Sequence, residues 1–195
     1  MAADASHFLD YQPDDLDVRV AELIVGTHDA GDPLVHPKVS EALSSMREHM
    51  NMDVVFVSQF GNGRRTFRVV DDARHVKTIF TGHSDPLEES WCHYVAEGRV
   101  PQFIKDARPL VASGQVPNPQ MDIGTHMSTP IKLRNGEVFG TLCCFSCEVE
   151  QDAHEVDMER LRYAAKLIAE ELHHAGVGRD LELQPVAPAP ARSRF

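Results

Sequence analysis

The residues best suited to chemistry are the four cysteines. Cys92 stands alone, whereas Cys143, Cys144 and Cys147 lie in one short stretch. The pattern C-C-x-x-C suggests a zinc knuckle, but the surrounding segment EVFGTLCCFS favours a β-strand, in which neighbouring side chains point to opposite faces. Cys143 and Cys147 share a face yet lie about 13 Å apart along a strand, too far for ligands about 2.3 Å from one zinc ion. We therefore predict no metal site.

The remaining reactive side chains form no recognised catalytic pattern. The sequence lacks a G-x-S-x-G elbow, a P-loop, a dinucleotide fingerprint and an H-E-x-x-H helix, so we predict no catalytic residues and no enzyme. Among eleven scattered histidines, His83, His93 and His126 could converge on one pocket, and we expect them to provide a polar lining or to lie on the surface. A redox role for Cys147 would require exposure and a lowered pKa.

Composition narrows the class of protein further. Lys and Arg number 19 against 30 Asp and Glu, which gives a net charge of −11. Nucleic-acid affinity comes largely from neutralising phosphates, so we expect no nucleic-acid partner. No apolar run is long enough to span a membrane and no secretion signal begins the sequence, so we expect a cytoplasmic protein without membrane contact, whose thiols are reduced.

Apolar periodicity and turn residues predict an α+β domain with an antiparallel sheet. Helices are predicted from Asp14 or Asp15, which would cap the first helix, over Pro37–Met50, over 86–96 and over 152–175. Strands are predicted over 52–60, which is apolar on both faces and therefore central, and over 64–72, 100–104, 123–133 and 137–146. Short Gly and Asn turns at 61–63 and 135–136 predict two hairpins.

Domain organisation follows from the same pattern. We expect a flexible N-terminus over 1–12, a single domain over 13–175 and a disordered Pro/Ala-rich tail over 176–195. On strand 137–146, alternation places Phe139 on the same face as Cys143. The last helix carries an apolar seam with steps of three and four residues, formed by Met158, Leu161, Ala165, Ile168 and Leu172.

These segments resemble the GAF domain family over about residues 20–174. The first half of the resemblance is MDVVFVSQF, a Gly turn, RRTFRVVD and PLEESWCHYV. The second half is IKDAR, IGTHMSTPIKLRNGEVFGTLCCFS and the helix DMERLRYAAKLIAEEL, of which Ser128 to Cys143 is the most specific part. The resemblance implies a GAF-like (PAS-related) central antiparallel sheet of five to six strands with helices on both faces, in which Gly140 lets neighbouring strands pack closely.

The family resemblance implies a bacterial sensory and regulatory module that binds a small molecule. Because no output domain is recognised after the last helix, we expect signalling in trans through a partner protein, and a homodimer formed through the terminal helices. An alternative is a protein-interaction or dimerisation module whose pocket is filled by its own side chains, for which Phe56, Phe67 and Trp91 are large enough.

Two further alternatives depend on the cysteines. In bilin-binding GAF domains a Cys followed by His holds the chromophore, so Cys92 and His93 could hold a bilin, and a pocket histidine could ligate haem. One GAF branch reduces free methionine sulfoxide with pocket cysteines, for which Cys92 and Cys143 are the candidates here, although the surrounding sequence does not match that branch. The cofactor is otherwise unknown, and packing is the expected role of these cysteines.

The resemblance and strand parity together place a ligand pocket between the sheet and the helix over 86–97, under a loop over 105–122. The residues expected to line or border it are Phe56, Ser58, Phe67, Trp91, Cys92, Tyr94, Ile104, Asp106, Ile123, His126, Ser128, Thr141 and Cys143.

Overall fold

A computed structural model describes residues 12–74, 79–119 and 121–178, which contain both helices and strands. The helices are α1 (Asp15–Val25), α2 (Pro37–His49), α3 (Trp91–Ala96), α4 (Arg108–Ala112) and α5 (Glu155–His174). The strands are β1 (Val54–Gly61), β2 (Arg64–Asp72), β3 (Ser84–Pro86), β4 (Phe103–Ile104), β5 (Thr125–Lys132) and β6 (Val138–Ser146).

All these strands join one antiparallel sheet in the order β3-β2-β1-β6-β5-β4. Strand β1 pairs with β2 through the Gly61–Gly63 turn and with β6 on its other side, as its two apolar faces predict. The second hairpin, between β5 and β6, closes at Asn135–Gly136, where Gly136 has a φ of 87°. The predicted α+β fold with an antiparallel sheet of up to six strands is confirmed.

The larger core lies between one face of the sheet and helices α1, α2 and α5. The predicted seam of α5 is wholly buried in it: Met158, Leu161, Ala165, Ile168 and Leu172. This seam therefore packs within the chain, and a dimer formed through the terminal helices would have to use their other faces. Helices α3 and α4 cover the opposite face, where two smaller apolar clusters lie.

Helix α1 begins as the sequence predicts. The Asp14 side chain accepts hydrogen bonds from the backbone N–H groups of Leu16 and Asp17. The Asp17 side chain in turn accepts one from the backbone N–H of Asp14, which completes a capping box. These bonds satisfy amide groups that the first helical turn leaves without partners.

Two local predictions were wrong. The helix predicted over 86–96 begins at Trp91, because Ser84–Pro86 instead extends as β3 along β2. On β6, Phe139 faces the larger core and not the face of Cys143. The register passes from Ile131 opposite Gly140 to Lys132 opposite Val138, so Phe139 is an extra residue in a β-bulge that reverses the alternation.

Gly140 has the close-packing role expected of it. A Cβ atom at this position would lie 1.9 Å from the backbone oxygen of Ser58 on the neighbouring strand. Any other side chain would therefore force β1 and β6 apart at the centre of the sheet.

The terminal segments assigned from sequence fall largely outside the described residues. This holds for 1–11 of the predicted flexible N-terminus and for 179–195 of the predicted tail. Residues 176–178 form a turn in which Val177 packs against the larger core. None of the helices in the described ranges has the length and apolar character needed to cross a membrane.

Candidate functional site

A cavity of about 270 Å³ lies between the sheet and α3, beneath the loop that leads from α4 to β5. Exposed Glu89 and Asn118 in its lining mark the mouth. The complete lining is Phe56, Arg65, Phe67, Ile79, His83, Asp85, Pro86, Glu89, Trp91, Cys92, Pro117, Asn118, Pro119, Met121, Ile123, His126, Cys143 and Phe145.

The inner wall is aromatic and comes from the central strands. Phe56 on β1 and Phe67 on β2 pack edge to face with ring centroids 4.9 Å apart. The guanidinium of Arg65 lies over the ring of Phe67 at 4.5 Å and 5.7 Å from the ring centroid of Phe56, an arrangement that attracts a cation to the ring faces. This wall therefore offers apolar area together with a fixed positive charge.

The roof of the cavity is tied to α3 by one hydrogen bond. Trp91 donates its indole N–H to the backbone oxygen of Pro117 over 2.8 Å. The same indole packs edge to face on the ring of His126, with centroids 5.4 Å apart. Trp91 thus connects the roof, the helix and the sheet at one point of the cavity.

The floor brings together three buried side chains from three elements. Cys92 comes from α3, His126 from β5 and Cys143 from β6, and their potential ligand atoms all lie within 4.8 Å of one another. The Sγ atom of Cys143 lies 3.3 Å from Nε2 of His126. The other ring nitrogen of His126, Nδ1, is buried and has no hydrogen-bond partner among the described residues.

Arg65 adds its charge to this cluster. It donates from Nη1 to the Sγ atom of Cys92 over 3.4 Å and from Nε to Oδ1 of Asp85 over 3.0 Å. A second bond from Nη2 to Oδ2 makes the contact with Asp85 two-pronged, a geometry that holds the guanidinium in a fixed orientation. Burial alone would lower the pKa of Arg65, but Cys92 and Asp85 outweigh it and raise that pKa.

The two pocket thiols differ in their protonation. The hydrogen bond from Cys143 lowers the pKa of Cys92 well below its usual value against the effect of burial, and Arg65 and His126 lower it further. Burial raises the pKa of Cys143, and its neighbour Cys92 raises it further. These shifts favour the charged form at Cys92 and the protonated form at Cys143.

The two remaining cysteines lie apart from the cavity. Cys144 faces the larger core, opposite to Cys143 as strand alternation predicts, and burial raises the pKa of its thiol. Cys147 is half-buried, and burial together with Asp53 raises its pKa. Cys147 thus lacks the lowered pKa that a redox-active thiol needs.

The structure brings seven of the residues predicted for the site into the cavity lining. They are Phe56, Phe67, Trp91, Cys92, Ile123, His126 and Cys143. Of the three histidines considered, His83 and His126 line the cavity, whereas His93 lies outside it, 3.4 Å from Glu97.

Six residues predicted to line or border the pocket are absent from its lining: Ser58, Tyr94, Ile104, Asp106, Ser128 and Thr141. Ser58 and Thr141 are buried and share a hydrogen bond of 2.9 Å between their hydroxyls. Tyr94 and Ile104 pack in the apolar cluster around α3 and α4, and Asp106 pairs with Arg108. Ser128 is fully buried, and its hydroxyl has no partner among the described residues.

Sequence reasoning missed several lining residues, most importantly Arg65 and Asp85. Arg65 stands two positions before Phe67 on the same strand, so alternation places both on one face and could have identified it. Asp85 ends an irregular segment just before the helix predicted over 86–96, and Pro117 to Pro119 lie in the predicted loop over 105–122, so no periodicity pointed to them.

The cavity is small for a bilin or haem. Its volume of about 270 Å³ lies below the about 300–1,000 Å³ usual for pockets that hold drug-sized ligands, and a tetrapyrrole is a large ligand. His93, the proposed partner of Cys92 in such binding, does not line the cavity. The Cys92 thiol instead faces Cys143, His126 and Arg65.

Comparison with known proteins agrees with the fold. The sequence model of the GAF domain family (GAF_2) matches residues 39–173, well over half of the chain. No curated protein matches the sequence significantly.

Three solved structures illustrate the range of similar folds. The GAF domain of an Acinetobacter phosphoenolpyruvate-protein phosphotransferase has a TM-score of 0.62 and 17% identity, covering 88% of this chain and 96% of its own. A free methionine-R-sulfoxide reductase from Neisseria meningitidis, in complex with its substrate, has a TM-score of 0.62 and 12% identity, covering 85% of this chain and 95% of its own. A phycoerythrobilin-bound GAF domain of a cyanobacterial phytochrome has a TM-score of 0.57 and 14% identity, covering 85% of this chain and 97% of its own. At these identities the likeness concerns the fold.

Proposed function

Because the chain belongs to the GAF domain family, we propose that it is a regulatory module whose cavity binds a small molecule and which passes this signal to a partner protein. The observation that carries the proposal is the cavity itself, which combines aromatic walls with a few convergent polar groups. Such a combination is typical of small-molecule sites. Phe56, Phe67 and Trp91 line the cavity without filling it, which favours a bound molecule over a self-filled pocket.

The lining suggests the kind of molecule. Phe56, Phe67 and Phe145 favour a flat apolar body, whereas Glu89 at the mouth favours a hydrogen-bond donor or a positive charge. The volume of about 270 Å³ limits the ligand to the size of an amino acid, a nucleobase or a simple aromatic acid.

The roof provides a route for signalling. The hydrogen bond from Trp91 to Pro117 ties the loop to α3, so a ligand that prefers the closed roof shifts the population of loop conformers toward it. A partner that contacts the roof or α3 would then bind the liganded and unliganded forms with different affinities.

Thermal unfolding with a panel of free amino acids, nucleobases and aromatic carboxylic acids tests binding. We expect at least one compound to raise the midpoint of the wild type and to lose this effect in Ile123→Trp, which fills the cavity. Val35→Trp is the control, because Val35 is 72% exposed and lies outside the lining. No shift with any compound, or an equal shift in Ile123→Trp, would contradict the proposal.

A second candidate function is favoured by the proximity of Cys92 and Cys143 and by the lowered pKa of Cys92. In the reduction of a sulfoxide, Cys92 would attack the sulfoxide sulfur, and the oxygen would leave as water. Cys143 would then attack Sγ of Cys92 and release the thioether, so that the two thiols end as a Cys92–Cys143 disulfide. An added dithiol would return both cysteines to the reduced state. We would expect methionine sulfoxide to be consumed by the wild type and by Cys147→Ser but not by Cys143→Ser; no turnover by the wild type excludes this candidate.

A further inference from the structure

We propose that Cys92, His126 and Cys143 form a binding site for Zn²⁺ at the floor of the cavity, with a fourth coordination position open toward the cavity. The prediction of no metal site considered only the spacing of cysteines along one strand. The structure supplies a different set, in which α3 and β5 each contribute one side chain to the Cys143 thiol of β6.

The distances suit one ion. Sulfur and nitrogen ligands bound tetrahedrally at about 2.0–2.3 Å from zinc lie about 3.5–3.8 Å from one another. The distance from Cys143 Sγ to His126 Nε2 is already 3.3 Å. Since no pair of potential ligand atoms in the set is more than 4.8 Å apart, closing the site needs about 1 Å of side-chain movement.

The donor set has the chemistry that zinc prefers. Two thiolates and one imidazole with a fourth position left open is an arrangement known in zinc sites. All three residues are buried, so their side chains lose little further freedom on binding. The other ring nitrogen of His126, Nδ1, has no hydrogen-bond partner among the described residues, so no such bond opposes the small rotation that would turn Nε2 toward the ion.

The charges balance around a divalent ion. Two thiolates neutralise Zn²⁺, while Asp85 neutralises Arg65, which contacts Cys92. Burying the loaded site therefore leaves no uncompensated charge, which would be costly. Cys143 must lose its proton to ligate, as every thiol does when it binds a metal. With both thiols bound to the ion, the disulfide chemistry described above would be blocked.

Co²⁺ and Zn²⁺ titrations of the reduced, chelator-treated full-length chain test the site. We expect one Co²⁺ per chain to produce a thiolate-to-cobalt charge-transfer band with intense visible bands of tetrahedral coordination, and Zn²⁺ to abolish both. Cys92→Ser and Cys143→Ala should each lose the charge-transfer band and bind Zn²⁺ at least about 100-fold more weakly, since even partners behind a ligand contribute about 10–100-fold.

Cys144→Ala is the matched control, because this thiol neighbours Cys143 on the same strand but faces the larger core; it should bind Co²⁺ as the wild type does. A second cluster, formed by His28, Glu171 and His174, contains no sulfur and cannot produce the charge-transfer band. Glu171→Gln should therefore keep that band and remove any additional weak ion.

The wild type alone can overturn the proposal. If the wild type shows no thiolate-to-cobalt band at stoichiometric Co²⁺, the proposal is wrong, whether or not any variant folds. Equal loss of the band in Cys144→Ala and Cys143→Ala would overturn it as well, once circular dichroism shows that both metal-free variants are folded. Binding of the small-molecule panel is measured on metal-free protein, so failure of the zinc site leaves the proposed ligand cavity standing.

Discussion

Cys143 and His126 meet across two neighbouring strands, with Sγ and Nε2 3.3 Å apart. His126 pairs directly with Phe145, so Cys143 is its diagonal neighbour two residues away on β6. Diagonal neighbours on one face are within reach of long side chains. The register of β5 and β6 thus places an imidazole beside a thiol, and α3 adds Cys92 from above.

Removing the indole N–H of Trp91 should loosen the roof. Trp91→Phe keeps an aromatic ring but loses the bond to Pro117, so we expect a loss of about 0.5–1.5 kcal/mol in the free energy of unfolding. Amide hydrogen exchange should become faster over 113–119 and stay unchanged over 141–146 of β6. Unchanged exchange in the loop would mean that this bond does not hold the roof.

Gly140→Ala should prevent normal pairing of the central strands. The new Cβ would lie 1.9 Å from the backbone oxygen of Ser58, so we expect a loss of about 3 kcal/mol or more, measured by urea unfolding or seen as insoluble expression. Gly61→Ala is the control, because a Cβ at Gly61 meets nothing within 4 Å. Similar stabilities for the two variants would show that β1 and β6 are less closely packed than described.

Ser58 and Thr141 should act in stability and not in ligand binding. Ser58→Ala deprives the buried Thr141 hydroxyl of its partner, which should cost about 1–3 kcal/mol. Adding Thr141→Val removes the orphaned hydroxyl, so the double variant should be more stable than the sum of the single changes predicts. A large change in ligand affinity without a change in stability would instead place these residues in the site.

Asp53 should make the fold sensitive to acid. Its carboxylate accepts hydrogen bonds of 2.8 Å from the backbone N–H of Cys147 and from Arg74. These bonds lower the pKa of Asp53 despite the opposing effect of burial. The stabilisation is therefore fully present above the unfolded-state pKa of about 3.9 and is lost as the pH falls through the lower, folded-state pKa.

Urea unfolding of the wild type and Asp53→Asn between neutral and acidic pH measures this contribution. The variant should be less stable near neutral pH, and the difference should shrink as the solution is acidified. A difference that stays constant over this range would show that the carboxylate charge of Asp53 does not contribute.

Local signals were sufficient for most of the fold. The two glycine-containing turns, the apolar strand at 54–61 and the seam of α5 each depend on residues close together in sequence, and the structure has these elements where they were predicted. The exceptions arise from long-range pairing. Ser84–Pro86 extends because β2 offers it an edge, and the bulge at Phe139 follows from the register with β5, which composition does not encode locally.

The cavity was predictable where strand alternation applies and less so elsewhere. Phe56, Phe67 and Cys143 follow from the facing of their strands. Ser58 and Thr141 share that face, yet they bond to each other and lie outside the lining. The distance between Cys92 and His126 depends on how α3 docks on the sheet, and no spacing along the chain reports it.

Methyl NMR of protein labelled at its methionines tests most directly whether the cavity is the ligand site. Met121 lines the cavity, whereas Met46 and Met158 are buried in the core on the opposite face of the sheet. With the same panel of amino acids, nucleobases and aromatic acids, at least one compound should shift the Met121 resonance and leave those of Met46 and Met158 in place. Shifts confined to Met46 and Met158, or no shift with any compound, would contradict the assignment of this cavity as the binding site.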